Sequence, residues 1–282
     1  MARRKRKRKS HIPPKTKLGS WKRQYSRVTP LLLFIAIIFS LIFAVSCRSP
    51  VNESDFDTLT LGIPGPADTI IDRPGYALGY IEAHEQAAWV IYRLTAEELR
   101  TKVSSRSDDF RADPDIPTGS ATPADYKKSG FDRGHMAPAA DMAYSARTMS
   151  DSFYMSNICP QRPDCNRKIW KELENQVRKF ALAEQDVYIV TGPILPKTPT
   201  LTIGANKVSV PDAFYKIIYD RTPPQKMLAF IVPNAGSSAP LQSFVVTVDK
   251  VEAETGLDYF PLLSQPLQEQ MESSIDINAW NW

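Results

Sequence analysis

Residues Phe131-Asp-Arg-Gly-His135 bring a carboxylate, a guanidinium and an imidazole into five positions. A neutral imidazole titrates close to physiological pH, so His135 can accept a proton from water. Arg133 presents a planar fork of donors that matches a phosphate. Asp132 can orient a neighbour or serve a turn, and Gly134 allows a turn or a close approach of backbone to a ligand. Asn166, thirty-one positions beyond His135, offers a neutral amide oxygen of the kind a hard cation such as Mg²⁺ accepts while keeping most of its waters. Glu174 adds a carboxylate. Hydrolysis of a phosphodiester needs a base for water, charge stabilisation on the phosphoryl oxygens and help for the leaving alkoxide. These residue types cover all three. The chain has 3 histidines in 282 residues, and His135 alone sits among such groups.

Each of these residues also has an ordinary explanation. A single His can be a satisfied core residue, Asn166 can be a helix N-cap, and Glu174 can be a solvent-facing partner of Arg178 at i+4. The elements that must position them are partly legible. Ile169, Trp170, Leu173, Val177, Phe180 and Ala181 recur at helical spacing and predict an amphipathic helix over 166–183. On a regular α-helix Glu174 falls about 80° around and roughly 12 Å along the axis from Asn166. Its side chain leans back toward the helix N-terminus, toward a water on the metal rather than the metal itself. Strands are expected at 88–94, 187–191 and 244–248, with a hairpin of 213–219 and 227–232 around Thr222-Pro-Pro-Gln225. Thr95-Ala-Glu-Glu98 reads as a capping box, and 249–255 as a short helix stopped near Gly256.

Composition divides the chain. The first thirty residues hold twelve Lys or Arg and no acid, and an uncharged apolar run follows from Leu31 to Val45. This is the order of an export signal or a single membrane anchor. The 17 residues from Leu31 to Cys47 reach roughly 26 Å, at the short end of a bilayer span. The one-sided charge predicts a cytoplasmic N-terminus and a periplasmic or extracellular remainder. Ala44-Val-Ser-Cys47 loosely resembles a lipoprotein cleavage box, so an uncleaved helix, a cleaved signal and a lipidated Cys47 all stay open. Without the leader, 23 basic residues face 31 acidic ones, so the rest of the chain binds nucleic acid only through a local cationic cleft. Cys159 and Cys165 either pair across their short loop or stay as free thiols. The expected organisation is a basic tail (1–30), an anchor or signal (31–47), a linker (48–74), one α+β domain (75–265) and a C-terminal tail (266–282).

Three blocks together resemble the DNA/RNA non-specific endonuclease family: Asp132-Arg-Gly-His135, Phe153-Tyr-Met-Ser-Asn157-Ile-Cys-Pro160-Gln161 and Asn166-Arg-Lys-Ile-Trp170-Lys-Glu-Leu173-Glu174. Weaker matches widen the resemblance to about residues 75–262. It implies a ββα-metal fold with a central, mainly antiparallel sheet flanked by helices. It also implies Mg²⁺-dependent cleavage of DNA and RNA to 5′-phosphate ends, with Mn²⁺ as a substitute ion. By the resemblance His135 is the general base, Asn166 the metal ligand, Glu174 the carboxylate behind the metal and Arg133 the phosphate-binding Arg. An upstream Arg that binds phosphate maps to Arg106, with Arg111 as the fallback. A homodimer is compatible with it. Two other readings stay open: a binding module with a decayed site, and a metallophosphodiesterase of small substrates.

Overall fold

A computed structural model describes residues 58–282. The basic tail, the apolar segment, Cys47 and the start of the linker lie outside the described residues. Among the described residues no helix is long and apolar enough to cross a membrane.

Gln86-Ala-Ala-Trp-Val-Ile-Tyr-Arg-Leu-Thr95 shows how the sheet arises. Its β-branched and aromatic residues favour a pleated backbone, and successive side chains point to opposite faces. Val90, Tyr92 and Leu94 join one core and Trp89 and Ile91 the other, so the strand is apolar on both sides. In chain order the strands are β1 (Thr69–Arg73), β2 (Tyr76–Ile81), β3 (Gln86–Thr95), β4 (Asp132–His135), β5 (Ile158–Gln161), β6 (Asp186–Ile194), β7 (Thr202–Ile203), β8 (Val208–Ser209), β9 (Ala213–Asp220), β10 (Lys226–Pro233) and β11 (Val245–Val246). The helices are α1 (Ala96–Arg100), α2 (Pro123–Tyr126), α3 (Ala146–Asp151), α4 (Lys171–Glu184), α5 (Val248–Thr255) and α6 (Gln265–Glu272). Seven strands form a central sheet in the order β1-β2-β3-β6-β9-β10-β11. Every pairing in it is antiparallel. α4 packs Leu173, Val177 and Phe180 on one face. α5, Tyr259, Phe260 and Met271 of α6 cover the other.

Local signals read well. Thr95 and Glu98 close both hydrogen bonds of the capping box. β9 and β10 pair as the expected hairpin. Gly256 ends α5 in the left-handed conformation at φ 73°, where a side chain would be strained. Three expectations change. Thr69–Arg73 lies in the stretch read as linker but forms the edge strand β1. Its Arg73 binds Asp113 at 3.0 Å and Asp115 at 2.9 Å, which ties that edge to the loop preceding α2. Phe244–Val248 shrinks to the two-residue β11 behind a 3₁₀ turn, Leu241–Phe244. The stretch 266–282, read as a tail, packs on the domain: Trp280 is buried and its ring lies 4.9 Å from that of Phe180. Cys159 and Cys165 are both buried free thiols, so the paired alternative does not apply. Burial pushes the Cys165 thiol up to about 11, which keeps it protonated and unreactive.

Removing a buried aromatic leaves a cavity that neighbours fill only in part. Trp280→Ala is therefore expected to cost about 3–5 kcal/mol in denaturant unfolding. Unchanged stability would mean that the C-terminal stretch does not dock.

Candidate active site

β4 and β5 form a separate two-stranded ribbon with Asp132 opposite Gln161, Gly134 opposite Cys159 and His135 opposite Ile158. Residues two apart on a strand share a face, so Arg133 and His135 project together. Gly134 serves packing, not a turn: a Cβ there would come within 2.1 Å of the buried Gln161 side chain. Just past His135 the chain is pinned by Asn157. The Asn157 amide accepts from the Ala137 N–H at 2.9 Å and donates to the Ala137 and Ser152 carbonyls, each at 2.9 Å.

The His135 ring is buried at 8% exposure between Phe110 and Phe153, with centroids at 5.4 and 5.0 Å. Its Nε2 has no hydrogen-bond partner among the described residues. Burial, reinforced by Arg106 and Arg133, pushes the imidazole down to about 3. The ring is therefore neutral at physiological pH, with its acceptor nitrogen unprotonated, but burial makes it a weaker base than the near-neutral imidazole expected from the sequence. Arg133 is exposed, with its guanidinium 4.1 Å above the Phe110 ring. It pairs with no carboxylate among the described residues, so its fork stays free for an anion while the aromatic face holds it in place.

Asn166 does not cap a helix. It lies inside a π-helical turn, Cys165–Trp170, that leads into α4. A π turn closes i→i+5 bonds, so each residue rotates by less than the α-helix's about 100°. Eight steps then total nearer two full turns, and Asn166 and Glu174 face the same side instead of being about 80° apart. Asn166 donates its Nδ2 to Asp132 at 3.0 Å, and Asp132 also takes a forked pair from Arg167, both at 2.7 Å. With the amide nitrogen thus committed, the Asn166 Oδ1 is left as the free ligand atom. The same side chains answer what Asp132 orients. Its burial is outweighed by these donors, which hold its carboxyl below the usual carboxylate range.

Glu174 does not pair with Arg178. Arg178 binds the buried Asp141 at 2.7 Å and Asn175 at 2.7 Å. Asp141 also accepts from the Tyr92 hydroxyl at 3.2 Å. Behind them Lys216 is wholly buried, its Nζ without a hydrogen-bond partner and 5.0 Å above Trp170. Burial pushes Glu174 up and Lys216 down, and the attraction between the two opposes both shifts. Sequence reasoning missed Asp141 and Lys216. Lys216 had one visible signal, a single charge inside the apolar strand Ala213-Phe-Tyr-Lys-Ile-Ile-Tyr219.

These side chains line one cleft of about 520 Å³, formed by Arg106, Arg133, His135, Asn166, Arg167, Lys171, Glu174 and Arg178 with Pro138, Ala139 and Ala140. A second hollow of about 490 Å³ shares Arg106, Arg133 and Asn166 and extends past Phe110, Tyr126 and Lys127. Five cations and one carboxylate, Glu174, line the first cleft; Arg167 and Arg178 are paired with Asp132 and Asp141, so Arg133 and Lys171, which form no ion pair among the described residues, carry most of its free positive charge. Arg106 stands over Phe153 at 4.9 Å, pairs with the exposed Asp108 at 2.7 Å and faces both hollows. The fallback Arg111 is engaged elsewhere, with Asp109 at 2.7 Å, the Ser150 carbonyl at 2.9 Å and the Tyr154 ring at 3.8 Å.

Residues 54–265 match the family described as DNA/RNA non-specific endonuclease. Human mitochondrial endonuclease G is 37% identical over 214 residues, covering 71% of this chain and 72% of the relative. Nuclease C1 of Cunninghamella echinulata var. echinulata is 38% identical over 231 residues, covering 76% and 90%. A chain of the crystal structure titled the EndoG/EndoGI complex superposes with a TM-score of 0.70 at 30% identity, covering 80% of this chain and 97% of that one. With a mixed α/β fold around a central antiparallel sheet and this match over most of its length, the chain belongs to the DNA/RNA non-specific endonuclease family of nucleases.

Proposed function

We propose that this nuclease cuts DNA and RNA within strands, with His135 as general base and a hydrated Mg²⁺ held at Asn166, leaving 5′-phosphate ends. The observation that carries this reading is that a neutral His135, an amide oxygen left free on Asn166 and an unpaired Arg133 line one cationic cleft. Asn166 and Glu174 are the oxygen donors that fit a hard cation, with Glu174 placed to engage the ion's waters. When bound, the ion supplies Lewis-acid stabilisation of phosphoryl charge and assistance to the leaving oxygen. Arg133 and Arg106 clamp the scissile phosphate and its neighbour. His135 takes the proton from the attacking water, and the apolar Phe110 and Phe153 rings keep it uncharged until it does so. The phosphate backbone is common to DNA and RNA, so recognition through cations does not discriminate between the sugars.

We also propose that segment 31–47 tethers the domain outside the cytoplasm, with a lipidated Cys47 as the alternative anchor. Activity recovered in the membrane fraction and released by detergent would fit. Activity found wholly in the cytosolic fraction would remove this part.

His135→Ala is expected to lower cleavage of plasmid DNA and of RNA by about 10²–10⁴-fold. Full activity in that variant, or activity surviving removal of divalent cations, would overturn the mechanism. Asp132→Ala frees the Asn166 amide to rotate, so the Mg²⁺ concentration for half-maximal rate should rise about 10–100-fold while the rate recovers at saturation. A loss that added Mg²⁺ cannot rescue would assign Asp132 another role. Acid should also weaken the fold through His135. Its value is about 3 when folded and near 6.5 unfolded. Between these the unfolded chain holds the extra proton, so stability is complete above about 6.5 and falls as pH drops. From pH 7 to 5 the native chain should lose about 2 kcal/mol more than His135→Gln. Equal losses would give this ring an ordinary pKa.

A further inference from the structure

On the face of the sheet covered by α5 and α6, four acidic side chains converge with no cation among them. Asp249 and Glu252 are three apart on α5 and therefore neighbours on its surface. Glu272 ends α6, and one oxygen from each of these three carboxylates lies within 4.8 Å of the others. Asp258, in the turn after α5, adds a fourth charge felt by Glu272. Among the described residues no Lys, Arg or His forms an ion pair with any of the four. The nearby Lys250 is committed to Glu254 at 2.5 Å.

Glu272 shows that the cluster is more than a solvated acidic face. It is 6% exposed, and its buried Oε1 has no hydrogen-bond partner. It also sits at a helix C-terminus, where backbone carbonyls already concentrate negative charge. A buried carboxylate with no donor and like charges beside it costs free energy unless a proton or a metal ion compensates. The strain is reflected in its ionisation: burial, then Glu252, Asp258 and Asp249, push the Glu272 carboxyl up to about 7.

We propose that Asp249, Glu252 and Glu272 form a Ca²⁺ site that clamps α5 to α6, separate from the catalytic cleft. The donors are all carboxylate oxygens, with no His or Cys, which selects a hard cation. Ca²⁺ binds oxygens at about 2.3–2.6 Å, so ligand oxygens can stand up to about 4.6–5.2 Å apart around it. The observed limit of 4.8 Å fits that shell. Mg²⁺, at about 2.0–2.1 Å, admits ligand oxygens only up to about 4.0–4.2 Å apart. Asp249 is exposed, so waters can complete the coordination that Ca²⁺ needs. Glu252 keeps one oxygen on the Tyr259 N–H at 2.9 Å, which fixes its orientation. The site joins two helices that hold Val248, Val251 and Met271 against the sheet, so its occupancy should be felt as stability.

The test uses the full-length chain stripped of metal and titrated with Ca²⁺ alone by calorimetry and thermal unfolding. The Asn166→Ala variant should keep a Ca²⁺-binding event and a rise in Tm. Glu272→Gln and Asp249→Asn should each weaken that event at least tenfold and lose the Tm rise, while cleaving DNA in Mg²⁺ at the native rate. Because the readout is Ca²⁺ binding in a variant lacking the catalytic ligand, it is independent of the nuclease mechanism. An isotherm unchanged by Glu272→Gln would overturn the proposal. So would absence of any Ca²⁺ effect, with Glu272→Gln raising Tm by itself, because a proton would then be the compensating charge.

Discussion

The hydrogen bond from Asn166 Nδ2 to Asp132 joins the two halves of the candidate active-site cleft. Asp132 lies on β4 beside Arg133 and three residues before His135, and Asn166 lies in the first turn of the helical segment that carries Glu174. One carboxylate thus fixes the orientation of an amide whose other atom is the proposed metal donor, and its forked pair with Arg167 keeps it from rotating away. Tying the strand to the helix through a charged acceptor places the proposed base, cation clamp and metal ligand in one frame. Neither half alone could do so, since the ribbon holds only four residue pairs.

The rest of the domain supports that seam. The central sheet is buried on both faces, which gives α4 a rigid floor, and the floor itself contributes Lys216 beneath Trp170. Two acids and two bases balance their charges here, Glu174 and Arg178 in the wall of the cleft and Asp141 and Lys216 buried behind it. Breaking such a set by removing one member leaves an uncompensated buried charge, which is more costly than the pair was stabilising. Arg73, with Asp113 and Asp115, does a similar task for the loop before α2, holding the region from which Arg106 and Phe110 reach the site.

What was legible in the sequence was local. The capping box at Thr95, the hairpin of β9 and β10 and the Gly256 stop are written within a few residues each, as are the types and spacing of the site motifs. What was not legible depended on distant partners. The edge strand β1 sits in Pro-, Asp- and Thr-rich sequence and becomes a strand because β2 offers a free edge. Trp280 looked like part of a tail because its partner Phe180 lies a hundred residues away. The sequence offers a turn or a close approach to a ligand for Gly134, because the side chain that excludes a Cβ, Gln161, belongs to another strand. The π turn escaped because apolar spacing barely distinguishes it from an α-helix, yet it turns Asn166 and Glu174 toward the same side.

The central claim is that one bound cation sits at the Asn166 amide within reach of the His135 ring. Mn²⁺ can report this directly, because it broadens the NMR signals of nuclei near it. Titrating the metal-free chain with Mn²⁺ should broaden the His135 imidazole resonances at about one equivalent at this site, and Asn166→Ala should abolish the effect. His135 signals that stay sharp while Mn²⁺ supports cleavage, or that broaden equally without Asn166, would contradict the account.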